Sequence, residues 1–142
     1  MPCVNIQIEP IGPIIELGIS APSSQFPASG IDPPIQWVRA IVDTGCSHTS
    51  IHSTVARRCG LSIVSTSSAQ TPGGVVATNI YHGDLVLRPM IGNAPFEWRF
   101  QDIGIVEMAN PNAEFESLLG MDIICQGIFI TNGSIKLATF CW

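Results

Sequence analysis

Asp43 stands in IVDTGCSHTS, the stretch Ile41 to Ser50, where an apolar run ends in a turn of small residues. Only 12% of the chain is charged, so an acid delivered by apolar neighbours has a buried or half-buried address. A carboxylate held there could draw a proton from water, or donate one when protonated. Alone, however, Asp-Thr-Gly is also what an ordinary side-chain-stabilised turn after a strand is made of.

The same stretch offers two rival chemistries. Cys46, His48, His52 and Cys59 form a C-x-H-x3-H…C set of thiolates and imidazoles that suit zinc. Their spacing matches no established zinc pattern, and a strand-borne His48 and a pre-helical His52 do not share a focus, so no metal site is expected. Cys46 activated by His48 as a nucleophile is also weak. Residues two apart on a strand face the same way, but no third group orients the base.

The elements that must position Asp43 are mostly strands. FEWRF puts Phe96, Trp98 and Phe100 on one face and Glu97 and Arg99 on the other, the period of a half-buried strand. CVNIQI, IIELGI, IQWVRAIV, LSIV, VVATNIY, DLVL, IGIV, GIFI and SIKLATF read likewise. SAPSSQFPASGIDPP is a long surface loop, read as a tolerated insertion. Asn132-Gly133 between two apolar runs predicts a terminal hairpin. Two short helices are expected. Ser53 would cap STVARRCG with Gly60 as its left-handed stop, and MDIICQG would carry Asp122 in its first turn, where the helix dipole favours negative charge.

With 142 residues the chain suits one domain, residues 1–142, with a real core. Its 46% apolar content is high, yet no run approaches the ~18 residues of a membrane span, so no membrane association is expected. Part of that apolar surface is expected to be covered by a second copy. A formal charge of −5 and a single adjacent basic pair, Arg57-Arg58, argue against nucleic acid as a partner. The N-terminus has no basic segment followed by an apolar stretch, and the five cysteines are odd in number and scattered. Reduced thiols and a cytoplasmic setting follow as expectations.

Order and spacing carry a resemblance. The apolar strand WVRAIV delivers Asp43-Thr44-Gly45, TPGGVV follows about thirty residues on, and LLGMDII comes some forty-five residues after that. From roughly Ile35 to Phe140 this resembles the retropepsin-like aspartic proteases, the single-domain relatives of pepsin. The resemblance implies a mostly β, closed-barrel-like fold (half of a pepsin-type acid protease) with one or two short helices, working as a homodimer on extended polypeptide. No cofactor is implied. In such enzymes two carboxylates share one proton, and because like charges about 3 Å apart cannot both ionise cheaply, a chain with one such acid needs a two-fold axis to supply the other.

By the same resemblance, Asp43 is the catalytic acid, the Thr44 hydroxyl bonds across the dimer, and the Gly45 carbonyl pairs with substrate. Cys46 and Ser47 would line the pocket, with apolar side-chain pockets setting preference. Pro72, Gly73, Gly74 and Val75 would form the tip of a flap closing over the peptide. Leu118, Leu119 and Gly120 would support the catalytic turn. One departure points to cellular or bacterial members rather than viral ones: Met121 and Asp122 follow Gly120 where viral members usually have Arg; Ser47 also replaces the usual acid two positions after the tripeptide, so a dimer contact of the Arg-Asp kind is not expected. The terminal GIFITNGSIKLATFCW looks like the C-terminal hairpin of cellular members, a hairpin per subunit building the dimer sheet. The alternative is a homodimeric peptide-binding or scaffold module that keeps the fold without catalysis.

Overall fold

The computed structural model describes residues 1–26, 30–91, 94–109 and 112–142. Alternating residues become strands: Cys3–Glu9 (β1), Gly12–Ser20 (β2), Gln36–Val42 (β3), Ser50–Ile51 (β4), Ser62–Thr71 (β5), Gly74–Leu87 (β6), Met90–Ile91 (β7), Ala94–Pro95 (β8), Trp98–Glu107 (β9), Ser117–Leu119 (β10), Ile128–Asn132 (β11) and Leu137–Cys141 (β12). Two short helices, Ser53–Arg58 (α1) and Met121–Ile124 (α2), complete a mostly β chain. The strands follow the order β11-β12-β1-β2-β3-β10-β4-β9-β6-β5, and β2 also pairs with β6. That extra pairing closes β2, β3, β10, β4, β9 and β6 around a core that includes Leu17, Ile19, Val38, Ile51, Leu85, Ile105 and Leu119, all buried. Among the described residues no helix is long and apolar enough to cross a membrane.

Several strands are longer than their sequence patterns. VVATNIY and DLVL are one strand, β6, whose first half is exposed and whose second half, from Tyr81, is largely buried. FEWRF from Trp98 and IGIV join as β9, with Asp102 at φ 56° marking the irregularity that interrupts the alternation. Trp98 and Phe100 pack against Trp142 while Arg99 turns to Asp84, as the two-face reading expects. Of the long loop, residues 27–29 lie outside the described residues; before them Ser23–Gln25 form a 3-10 turn held by the Asp84 carboxylate, which accepts from the Ser23 N–H.

Three local features differ from the simplest reading of the sequence patterns. His52, not Ser53, caps α1: its ring Nδ1 accepts from the Thr54 N–H, an acceptor that sequence rules based on Ser, Thr, Asp and Asn do not look for. Gly60, at φ 64°, does follow the helix end in the left-handed region. The terminal hairpin forms, but not through a two-residue turn at Asn132-Gly133. The register pairs Asn132 with Leu137, leaving Gly133–Lys136 as the loop, with Lys136 at φ 51°. A tight turn at Asn132-Gly133 would set Cys141 opposite Ile124, a position already taken by α2. Third, Cys3 and Cys141 are not free. They sit opposite one another on β1 and β12 and form a disulfide across 138 residues, leaving Cys46, Cys59 and Cys125 as thiols. The reduced-thiol argument for a cytoplasmic setting falls with it. By restricting the unfolded chain, a link of this span contributes about 2–4 kcal/mol, so reductant or Cys3→Ser with Cys141→Ser is expected to lower the denaturation midpoint accordingly. An unchanged midpoint on reduction would show that the link carries no stability.

Candidate active site

Strand β3 ends where Asp43 begins, and β10 lies parallel beside it with Leu118 opposite Ile41 and Leu119 opposite Val42. The Asp43 N–H continues that ladder by donating to the Leu119 carbonyl at 3.0 Å. A tight turn follows: Cys46 N–H donates to the Asp43 carbonyl at 3.2 Å, and Gly45 N–H donates to Asp43 Oδ1 at 2.8 Å. A Cβ on Gly45 would come within 3.1 Å of that same oxygen, so glycine keeps the carboxylate clear. Asp43 is half-buried, and its Oδ2 makes no hydrogen bond to any described residue. Thr44 and Gly45 are exposed, and the Thr44 hydroxyl makes no hydrogen bond to any described residue.

The turn is fastened from below by α2. Met121 and Asp122 N–H groups, free because they open a helix, donate to the Cys46 and Ser47 carbonyls at 2.8 and 3.2 Å. The Asp122 carboxylate accepts from the buried Thr49 N–H at 2.9 Å and from the Thr49 hydroxyl at 2.7 Å, while the Thr49 hydroxyl accepts from the Gly120 N–H at 3.0 Å. Gly120 passes so close to the strand that a Cβ would meet the His48 carbonyl carbon at 2.5 Å. Sequence reading placed Asp122 only as a dipole partner; its bonds to Thr49 span 73 residues and leave no local pattern.

Beside the turn opens a cleft of about 510 Å³. Gly45, Cys46 and Ser47 line it, whereas Pro72, Gly73, Gly74 and Val75 do not. Those four form the tip of the β5–β6 hairpin, which pairs from Ser62 with His82 out to Thr71 with Gly74; the arm below, Ser67 to Gln70, is what faces the cleft. The wall is mixed: serines, Thr78, Gln70, His48 and Glu107 line it together with Ala69, Val106, Met108 and Ala109. Glu107 is the residue sequence reading missed. It ends the run IGIVE just as Asp43 ends IVD, and that shared signal could have found it. Its Oε2 accepts from Asn79 Nδ2 and the Tyr81 hydroxyl, both at 2.6 Å. Burial, reinforced by that bond to Glu107, pushes the Tyr81 hydroxyl above its usual range, so it remains a donor.

The rival chemistries do not assemble. His48 Nδ1 pairs with the Ser47 hydroxyl, His52 Nδ1 caps α1, and Cys46 Sγ donates to the His48 carbonyl at 3.2 Å. Cys59 lies against the core, where burial pushes its thiol up to about 11. Among the described residues no three His, Cys, Asp or Glu side chains gather as a metal site.

Residues 35–126, well over half of the chain, match the family described as "gag-polyprotein putative aspartyl protease". The chain belongs to that family. The fold of this family member is also that of a retropepsin-like aspartic protease from Rickettsia conorii, with a TM-score of 0.56 at 16% identity, covering 97% of this chain and 89% of that one. The retroviral protease-like domain of Ddi1 from Leishmania major aligns with a TM-score of 0.42 at 13% identity, over 85% of this chain and 82% of that chain. No curated protein matches the sequence. The family is therefore that of the retropepsin-like aspartic proteases.

Proposed function

We propose that residues 1–142 act as one domain of an aspartic endopeptidase whose active site forms only in a homodimer, with Asp43 of each copy sharing one proton around a water molecule. The observation that carries this is the Asp43 turn: a half-buried carboxylate at a strand end, oriented through Oδ1 by Gly45 and with no described residue bonded to Oδ2. One ionised carboxylate draws a proton from water while the protonated partner donates to the scissile carbonyl, and one acid cannot do both at once. A second copy also suits the sheet edge. Strand β11 ends the strand order and exposes Ile128 at 51% and Ile130 at 59%, an apolar edge of the kind that pairing covers.

Substrate is an extended polypeptide lying between the Asp43 turns and the β5–β6 hairpins, which act as flaps and add backbone hydrogen bonds. Thr44, exposed and with no hydroxyl bond to a described residue of its own chain, bonds to the partner's turn. Mixing tests the shared site. When wild-type and Asp43→Asn chains are combined in equal amounts and allowed to exchange, random pairing leaves about a quarter of the dimers with two acids, so activity per total chain is expected at about a quarter of wild type. A value of one half would mean that each chain works alone.

A further inference from the structure

We propose that the cavity between α1 and the base of the β5–β6 hairpin binds a free α-amino acid with an aliphatic side chain. The proposal stands apart from the peptidase reading, because it concerns the face of the sheet turned away from the Asp43 cleft. Register sets Tyr81 opposite Ile105 and Glu107 beside Ile51. Asn79, Tyr81, Ile105 and Glu107 therefore alternate onto one face, while Thr78, Ile80 and Val106 take the other. Ile105 is fully buried in the core that also holds Val55 and Ala56 of α1. Glu107, one step further along that face, borders a cavity of about 370 Å³, within the range of about 300–1,000 Å³ usual for small-molecule sites.

Two opposite charges share this cavity without meeting. Glu107 Oε2 accepts from Asn79 Nδ2 and the Tyr81 hydroxyl, which fixes the carboxylate and leaves Oε1 with no hydrogen bond to any described residue. Arg57 of α1 lines the same cavity, and its charge is felt there: burial raises the pKa of the Tyr81 hydroxyl, and Arg57 works against that rise. Its neighbour Arg58 is paired with Glu116 at 2.7 Å, but the Arg57 guanidinium makes no ion pair or hydrogen bond to any described residue. A ligand with one charge meets one attraction and one repulsion here, whereas a ligand with both signs on one carbon meets two attractions. An α-amino acid is such a ligand, and an internal peptide residue, with neither charge, is not. The carboxylate takes the planar Arg57 guanidinium, with the Ser53 hydroxyl, four residues earlier on the same helix face, as a further donor. The ammonium takes Glu107 Oε1, and Asn79, whose amide nitrogen already bonds Glu107, offers its Oδ1 as a second acceptor. Ala56, Leu61 and Ile63 supply an apolar wall, and Ile63 is 57% exposed, so an aliphatic side chain gains by covering it.

The test titrates the full chain with L-leucine and follows backbone amide chemical shifts. Saturable shifts are expected at Ser53, Arg57, Asn79, Tyr81 and Glu107. Leucinamide, which lacks the carboxylate, and isocaproate, which lacks the ammonium, are each expected to bind about 10-fold or more weakly. The variants should cross with the analogues. Arg57→Gln removes the preference for leucine over leucinamide, and Glu107→Gln removes the preference over isocaproate, each weakening leucine binding by about 10-fold or more. Arg57 is exposed, so Arg57→Gln is expected to melt with wild type and carries the test alone if Glu107→Gln does not fold. No saturable shift at these residues, analogues that bind as well as leucine, or folded variants that keep these preferences would overturn the assignment. None of these outcomes bears on peptide hydrolysis, which Asp43→Asn tests separately.

Discussion

Asp43→Asn is expected to lower kcat for peptide hydrolysis by about four orders of magnitude or more, with the denaturation midpoint little changed. The two halves of that expectation have different origins. Activity goes because each Asn removes a group able to take or give a proton, and in a symmetric dimer one substitution removes both. Stability stays because an Asn side-chain oxygen can still accept the Gly45 N–H now held by Asp43 Oδ1 at 2.8 Å, and the Asp43 N–H bond to Leu119 is made by backbone. Comparing turnover with thermal denaturation on one preparation checks both. Retained cleavage in Asp43→Asn would place the chemistry elsewhere in the cleft. Loss of fold in that variant would mean the carboxylate is structural.

How much of this could be read beforehand depended on how local each cause is. The β3 strand, the turn at Asp43-Thr44-Gly45 and the strand bearing Leu118 and Leu119 are set by apolar runs that stop at small residues, and they lie where the sequence puts them. Periodicity could not say that β6 would continue unbroken from an exposed arm into the core, because Gly83 and Asp84 interrupt the alternation without ending the strand. The helix cap was misplaced because an imidazole did the work usually done by a hydroxyl. The Cys3–Cys141 link and the Asp122–Thr49 bonds join residues 138 and 73 positions apart, and only the closed sheet order brings them together. The character of the cleft wall was lost for the same reason. Residues from β4, β5, β6 and β9 meet there, polar Ser50, Ser67 and Thr78 beside apolar Ala69 and Val106.

The second large effect is expected at Asp122, which touches no substrate in this reading yet holds the strand that leaves the Asp43 turn. Thr49 is fully buried, and both of its donors, the N–H and the hydroxyl, end on the Asp122 carboxylate. Asp122→Ala leaves both buried donors without their acceptor, and at the usual cost of an unmet buried donor the loss is about 2–4 kcal/mol. The Ile123 N–H, which also bonds Asp122 Oδ1, keeps its partner in the Gly120 carbonyl and adds little to that loss. Activity should fall further than stability alone requires. With Thr49 released, the Gly120 N–H also loses a fixed acceptor, and the carbonyls of Cys46 and Ser47 are then held only by the N–H groups of a helix whose footing has moved. A displacement of about 1 Å at the carboxylate can cost about 100-fold in kcat/KM. Asp122→Asn separates geometry from charge: an amide oxygen at the Oδ1 place keeps the acceptor for the Thr49 hydroxyl and the Ile123 N–H, but its NH2 then faces the Thr49 N–H at the Oδ2 place, so only part of the stability, about half, should return. Denaturant melts and peptide turnover on the two variants read this directly. If Asp122→Ala melts with wild type, or if Asp122→Asn is as damaged as Asp122→Ala, the turn is held by something other than this carboxylate.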